Sequence, residues 1–174
     1  MRTVLKYAVP ALALAALAGC SKPAAEAPKA DNAADVEAIK QLILTEGKGA
    51  STQDIDLTMS VYCNSPELHL FEAGPYVIRG YDDLKKTYLT YFKAFPKAEV
   101  TSKDIHAAAS GDVGYGHSEE TWKFTTPDGK TREDLHRVTR GYRKIDGKWC
   151  TMHENDSLPA DLIALDDKAT GKAK

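Results

Sequence analysis

One short segment near the end of the chain carries a row of side chains that could do chemistry. It reads Gly-Lys-Trp-Cys-Thr-Met-His-Glu-Asn-Asp-Ser over residues 147–157. Every second side chain of a β-strand lies on the same face, which groups Trp149, Thr151, His153, Asn155 and Ser157. A histidine can exchange a proton near neutral pH, and amide or hydroxyl groups can hydrogen-bond a ligand. The segment therefore predicts a strand with one polar, reactive face.

The segment just before it adds an arginine with the same alternation. The turn sequence Ile-Asp-Gly connects residues 133–144 to the predicted strand that carries His153, and this connection predicts a β-hairpin. Arg137 and Thr139 share one face of that hairpin. A buried arginine stays charged and presents a planar fork that suits a carboxylate, so Arg137 would either bind an anionic ligand or pair with an internal acid such as Glu119. Both alternatives stay open.

The elements that must position these residues begin with helices. Asp35 is a suitable N-cap for a run of apolar residues at helical spacing, and Gly47 and Gly49 are expected to end that helix. Residues 51–54, Ser-Thr-Gln-Asp, look like the start of a second helix. A third helix is predicted over residues 81–95, with two aspartates in its first turn.

The rest of the folded region alternates with a period of two. Residues 66–74 predict a short strand, and from Lys97 onward four longer strands are separated by turns at 110–112, 126–130 and 145–147. Neighbouring strands with such short connections form an antiparallel meander. Helices followed by strands predict the α+β fold class.

The N-terminus predicts export. Residues 1–19 place Arg2 and Lys6 ahead of a short apolar run, as a signal peptide does. The run ends in Leu-Ala-Gly-Cys, which resembles the bacterial lipobox and implies that Cys20 is lipidated and anchors the protein to a membrane. Because Ser21 rather than Asp follows, the predicted location is the outer membrane, facing the periplasm.

Composition sets the domain boundaries. Residues 20–34 are rich in Ala, Pro and Lys and predict a flexible tether, residues 162–174 predict a flexible tail, and residues 35–161 form the folded domain. The net charge is -2, which argues against a nucleic-acid partner because such proteins need a basic stripe.

The hairpin carries a family resemblance. Residues 137–161 resemble the C-terminal hairpin of SnoaL-like domains in the nuclear transport factor 2 superfamily. The matching positions are Arg137, Thr139, Lys144, Asp146, Gly147, Lys148, Trp149, His153, Asn155, Ser157 and Pro159. Residues 77–92 and 110–117 resemble earlier parts of the same domain, so the resemblance covers residues 35–161. One departure is that Asn155 stands where the family has a second histidine.

The resemblance implies three N-terminal helices packed in a curved, mainly antiparallel sheet, forming a cone with an internal pocket. The expected ligand-binding residues of that pocket are Arg137, Thr139, His153, Asn155, Ser157, His117, Trp122, Tyr62 and Met59. His153 is the candidate general base.

The opposite strand face predicts a homodimer. Val138, Tyr142, Cys150 and Met152 would form an apolar outer patch there, and an apolar outer face suggests a self-association surface. His136 has the same parity and is predicted to lie at the surface.

Three functions are compatible with these observations. The first is binding of a small, partly apolar ligand that is anionic or carries a carbonyl group. The second is an isomerase or cyclase that uses His153 as its base, and the third is a non-catalytic dimeric scaffold.

Cofactor and metal motifs do not support further functions. Phosphate-binding glycine loops are absent from the sequence, and His153 and Asp156 would lie on opposite strand faces, so no cofactor and no metal site are predicted. An exported protein can form disulfides, and the sequence leaves open whether Cys63 and Cys150 are bonded.

Overall fold

The computed structural model describes residues 33–73 and 76–159. The predicted signal peptide, Cys20 and the tail at 162–174 lie outside these residues. Of the predicted tether, only Ala33 and Ala34 are described, and both are helical.

Three helices precede the main sheet. They are α1 (Ala33–Thr52), α2 (Ile55–Met59) and α3 (Tyr81–Ala94). Asp54 caps α2, because its side chain accepts hydrogen bonds from the backbone N–H groups of Asp56 and Leu57 at 3.1 and 2.9 Å.

Helix α1 is longer at both ends than the sequence pattern indicated. Gly47 and Gly49 do not end it, and both are buried. A Cβ on Gly49 would lie 2.5 Å from the Thr58 hydroxyl oxygen, so glycine here permits α2 to approach closely. Asp35 lies in the first turn rather than at the cap, and its Oδ1 accepts hydrogen bonds from Lys144 Nζ and Trp149 Nε1 at 2.7 and 2.8 Å.

The strands form one curved, open sheet of six. In chain order they are β1 (His69–Phe71), β2 (Val77–Arg79), β3 (Lys97–Ser110), β4 (Val113–Thr125), β5 (Thr131–Ile145) and β6 (Lys148–Ser157). Their order across the sheet is β2-β1-β6-β5-β4-β3, with β1 parallel to β6 and the other neighbours antiparallel. The predicted α+β fold and the four-strand meander are therefore confirmed, and β2 is a strand that the sequence pattern did not reveal.

A β-bulge in β6 decides which side chains face the helices. Gly141 pairs with His153, whereas the next residue, Tyr142, pairs with Thr151, so Met152 is an extra residue. Beyond this bulge the alternation of β6 is reversed. Glu154 and the residues that share its parity lie on the inner face, and His153 and the residues that share its parity lie on the outer face.

The packed core lies between the helices and the inner sheet face. One cluster joins α2, α3 and the β1–β2 region, and the other joins α1 to β3, β5 and β6. A disulfide between Cys63 and Cys150 links the segment after α2 to β6. Among the helices in the described part of the chain, none is both long and apolar enough to cross a membrane.

Candidate functional site

A cavity of about 330 Å³, partly open to solvent, lies between α3 and the inner face of the sheet. Seven of its lining residues are aromatic: Tyr76, Tyr88, Tyr91, Phe92, Phe95, Trp122 and Phe124. The ionisable groups among its lining residues include Glu46, Glu72, Arg132, His136, Glu154 and Asp156. Apolar walls with a few convergent polar groups are typical of small-molecule sites.

His136 and Asp156 form a hydrogen-bonded pair in this cavity. His136 Nδ1 lies 2.8 and 3.0 Å from the two carboxylate oxygens of Asp156, and the two side chains are only 10% and 13% exposed. The other ring nitrogen, Nε2, is buried and has no partner among the described residues. An imidazole held at Nδ1 by a carboxylate keeps Nε2 ready to accept or donate a proton.

Glu72 adds a second carboxyl group to the cavity, from the segment that follows β1. Burial, as the largest cause, and the negative charges of Asp156 and Glu46 together raise its pKa to about 7, against a smaller lowering by His136 and Arg140. Near neutral pH, Glu72 therefore exchanges a proton inside an apolar site.

A fully buried arginine lies behind the cavity. Arg140 donates from Nη2 to Glu46 at 2.9 Å, from Nη1 to Glu120 at 2.8 Å and from Nε to Glu154 at 2.8 Å. Burial by itself would lower the pKa of Arg140, but the three carboxyl groups hold that pKa well above its ordinary value. This cluster occupies all three guanidinium nitrogens, so Arg140 is not available to a ligand.

One guanidinium cannot balance three buried carboxylates. Burial raises the pKa of Glu154 well above its ordinary value, and the neighbouring acids add to that effect. Burial would also raise the pKa of Glu120, but Arg140 and two further hydrogen-bond donors hold it below its ordinary value. The surroundings therefore favour the protonated form at Glu154 and the charged form at Glu120.

Two tyrosines complete the cluster. The hydroxyl groups of Tyr62 and Tyr88 donate to Glu46 Oε1 at 2.6 and 2.7 Å. Burial raises the pKa of both phenols well above the ordinary value. Of the predicted pocket residues, Trp122 does line the cavity, whereas Tyr62 and Met59 belong to the core beneath it.

The structure contradicts the predicted orientation of the polar strand faces. These side chains project from the outer face of the sheet instead of lining the cavity: His117, Arg137, Thr139, His153, Asn155 and Ser157. The bulge at Met152 reverses the face of the last three, whereas the first three face outward in the regular register of β4 and β5. His153 Nδ1 lies 3.0 Å from the His69 carbonyl oxygen, and the Ser157 hydroxyl donates to the Arg137 carbonyl at 3.2 Å. Ligand binding by these outer residues stays a prediction.

The internal acid proposed for Arg137 also lies on the outer face. Glu119 is opposite Arg137 in the sheet, and it makes its ion pair with Lys103 at 2.9 Å. His106, which stacks on His117 with ring centroids 5.0 Å apart, is exposed beside them.

The predicted apolar outer patch does not exist in the form expected. Val138 and Tyr142 are buried on the inner face, Cys150 is in the disulfide, and Met152 is the bulge residue. His136, predicted to lie at the surface, instead lines the cavity. The homodimer stays a prediction without this support.

One sequence signal did point to the buried cluster. Glu46 falls in the apolar stripe of α1, in register with Ile39, Ile43 and Ala50. A glutamate at such a position requires a buried partner. Within residues 33–73 and 76–159, no three His, Cys, Asp or Glu side chains are grouped so as to hold a metal ion.

One family model matches most of the folded region of this chain. The family model for the SnoaL-like domain matches residues 39–161, so this chain belongs to the SnoaL-like domain family. A search of curated proteins returned no match.

Solved structures of nuclear transport factor 2-like proteins share this fold. A protein of that superfamily from Salmonella enterica is 20% identical with a TM-score of 0.67, covering 72% of this chain and 91% of that chain. A nuclear transport factor 2-like protein of unknown function from Pseudomonas putida is 20% identical with a TM-score of 0.66, covering 77% and 93%. A candidate dehydratase from Streptomyces avermitilis is 14% identical with a TM-score of 0.67, covering 74% and 99%. At these identities the likeness shows the fold alone.

Proposed function

We propose that this protein binds a small, largely apolar organic molecule in the cavity, with a polar group of that molecule directed at His136 and Asp156. The observation that carries the proposal is a cavity of about 330 Å³ that combines aromatic lining residues with this hydrogen-bonded pair. The outer-face Arg137 has no part in the proposal.

A fluorescent apolar probe tests this proposal. N-phenyl-1-naphthylamine becomes brightly fluorescent in apolar surroundings and is expected to bind the full chain with a saturable signal. Thr87 lines the cavity, and the Thr87→Trp substitution should fill the space and abolish that signal.

Thr90→Trp is the matched control. Thr90 is exposed on the same helix, and its hydroxyl bonds to the carbonyl four residues earlier, as that of Thr87 does. Equal probe binding by the Thr87→Trp and Thr90→Trp variants would contradict a binding role for the cavity.

We also propose that the protein acts at the outer membrane, on the periplasmic side, held there by a lipidated Cys20. The Leu-Ala-Gly-Cys sequence at 17–20 supports this, and the Cys63–Cys150 disulfide suits an oxidising compartment. Mass spectrometry of the Cys20 peptide should find the mass of attached acyl chains in a bacterial host. A free thiol at Cys20 in the exported protein would contradict the proposal.

Acid–base catalysis is a second candidate function, favoured by the unpartnered Nε2 of His136. A base in that position could take a proton from carbon next to a carbonyl group. In deuterium oxide, NMR should show the chain accelerating proton exchange of phenylacetone, and the His136→Gln substitution should stop it. His106→Gln, on the outer face, is the control, and equal loss in both variants would contradict catalysis in the cavity.

A further inference from the structure

The interior of this domain holds more acidic groups than basic ones. The carboxyl groups around the cavity and behind it are Glu46, Glu72, Glu120, Glu154 and Asp156. The basic groups facing them are Arg140, His136 and, at the rim, Arg132. Because Arg140 is already shared among three carboxyl groups, it offers nothing to a negatively charged ligand.

Two of the carboxyl groups make no hydrogen bond to Arg140. Asp156 is bonded to His136 Nδ1, and the side chain of Glu72 has no hydrogen-bond or ion-pair partner within the described residues. Burial is the largest cause of the raised pKa of Glu72, and the negative charges of Asp156 and Glu46 add to it. A positively charged ligand beside Glu72 and Asp156 would relieve the part that comes from repulsion between the carboxylates.

The aromatic wall offers the other half of a cation site. Trp122 stacks on Phe124 with ring centroids 5.7 Å apart, and Phe95 lies 4.8 Å from Phe124. The faces of such rings carry partial negative charge and attract cations, most strongly where water is excluded. Aromatic rings also pack well against alkyl groups. An alkylated ammonium carries such groups, whereas an ammonium ion without substituents does not.

One contact between a cation and an aromatic ring is already present at the rim of the cavity. The Arg132 guanidinium carbon lies 6.0 Å from the centre of the Phe124 ring. Arg132 also pairs with Asp134, so its charge is compensated at the rim. Of the basic lining residues, Arg132 is therefore paired with Asp134 and His136 is bonded to Asp156, which leaves the carboxyl group of Glu72 without a side-chain partner within the described residues.

We infer that the cavity selects an apolar organic cation: a ring or short chain that carries an alkylated ammonium group, with Glu72 and Asp156 as its counter-charges. This inference rests on the proposed binding function and names the ligand class of the same site. It replaces the anionic ligand expected from the sequence, because that expectation depended on an arginine that faces outward.

Three probes of similar shape test the inference by displacing N-phenyl-1-naphthylamine from the full chain. Benzyltrimethylammonium carries the cation, neopentylbenzene is its uncharged carbon counterpart, and phenylacetate is the anion. Benzyltrimethylammonium should displace the probe at a concentration about tenfold lower than neopentylbenzene, a ratio that matches a desolvated cation–π contact with a counter-charge. Phenylacetate should be the weakest of the three.

The Glu72→Gln substitution should remove most of that preference while leaving the affinity for neopentylbenzene unchanged. Glu67→Gln is the matched control, because Glu67 is exposed just before β1. If the Glu72→Gln variant does not fold, the pH dependence of ligand binding by the parent chain tests the same role of Glu72. Lowering the pH from about 8 to about 6 protonates Glu72, so cation binding weakens and neopentylbenzene binding does not. The other ionisable groups that face Glu72 are Asp156, Glu46, Glu154, Tyr91, His136 and Arg140.

The outcomes separate the two proposals. If the naphthylamine binds the Thr87→Trp variant as it binds the parent chain, the binding function itself fails. If the naphthylamine signal depends on Thr87 but neopentylbenzene or phenylacetate displaces it as well as the cation does, only the cation inference is overturned. Failure of all three probes to displace it also overturns the inference.

Discussion

The inner and outer faces of strands β5 and β6 are built from neighbouring residues, yet they follow different electrostatic rules. On the inner face, Arg140 is 2% exposed and each of its guanidinium nitrogens meets a carboxyl group. On the outer face, Arg137 lies only three residues away and is exposed to water. Water screens the outer charge, whereas the inner charge must be balanced by its neighbours. Alternate residues of a strand face opposite sides of the sheet, so the position of an arginine along β5 decides whether it is buried among carboxyl groups or exposed to water.

The largest expected difference between the two faces is in the loss of stability when each arginine is replaced separately by alanine. Arg140→Ala leaves three carboxyl groups buried without their cation, and we expect the free energy of unfolding to fall by about 3–5 kcal/mol. Arg137→Ala should change it by less than about 0.5 kcal/mol. Urea unfolding followed by tryptophan fluorescence measures both, and similar losses would contradict the assignment of inner and outer faces.

The disulfide should have the next largest effect. Cys150 precedes the bulge in β6 and is bonded to Cys63, which lies 87 positions earlier. Replacing both cysteines by alanine should lower the free energy of unfolding by about 2–5 kcal/mol. Adding a reducing agent should destabilise the parent chain and leave the double variant unchanged. A parent chain that is insensitive to reduction would contradict the bond.

The free energy of unfolding should depend on pH because Glu72 titrates in the cavity on the inner side of the sheet. Its pKa is raised to about 7 in the folded protein, above the ordinary value of 4.5, so the protonated form is favoured by folding. This contribution is fully present below about pH 4.5 and is lost as the pH rises through about 7. The loss for this one group is at most about 3 kcal/mol. Unfolding measured between pH 5 and pH 8 should show a shallower decline for Glu72→Gln than for the Glu67→Gln control.

The smallest expected effect concerns one hydrogen bond on each face. Tyr88→Phe removes a donor to Glu46 in the buried cluster and should cost about 1 kcal/mol, because Arg140 and Tyr62 still satisfy that carboxyl group. Ser157→Ala removes an outer hydroxyl and should cost less than about 0.5 kcal/mol. Thermal unfolding ranks the two, and a larger loss in Ser157→Ala would reverse the comparison.

The sequence pattern was most reliable where its period was long and unbroken. The third helix and the four long strands follow directly from spacing and turn residues, and the structure confirms them. The end of α1 was misplaced because Gly47 and Gly49 serve close packing against neighbouring residues rather than termination. Strand β2 has only three residues, too few to establish a period.

The candidate site was misplaced for two local reasons. A single bulge at Met152 reverses the alternation of β6, and nothing in the spacing of Trp149, Thr151 and His153 marks it, so the residues beyond it were assigned the wrong face. On β5, Tyr142 pairs with the inward-facing Thr151, so Arg137, which has the opposite parity, faces outward independently of the bulge. Glu46 alone, in the apolar stripe of α1, signalled that a charged group enters the core.

The cluster around Arg140 also constrains how the chain folds. Glu46 and Arg140 are 94 positions apart, and Glu46 is on the helix that is synthesised first. If α1 packed before β5 arrived, it would bury an unpaired carboxylate, which is costly. Docking of the helix is therefore expected to wait for the hairpin of β5 and β6, so that the last third of the chain controls the folding rate. Such dependence on contacts between distant parts of the chain is typical of slow, cooperative folding.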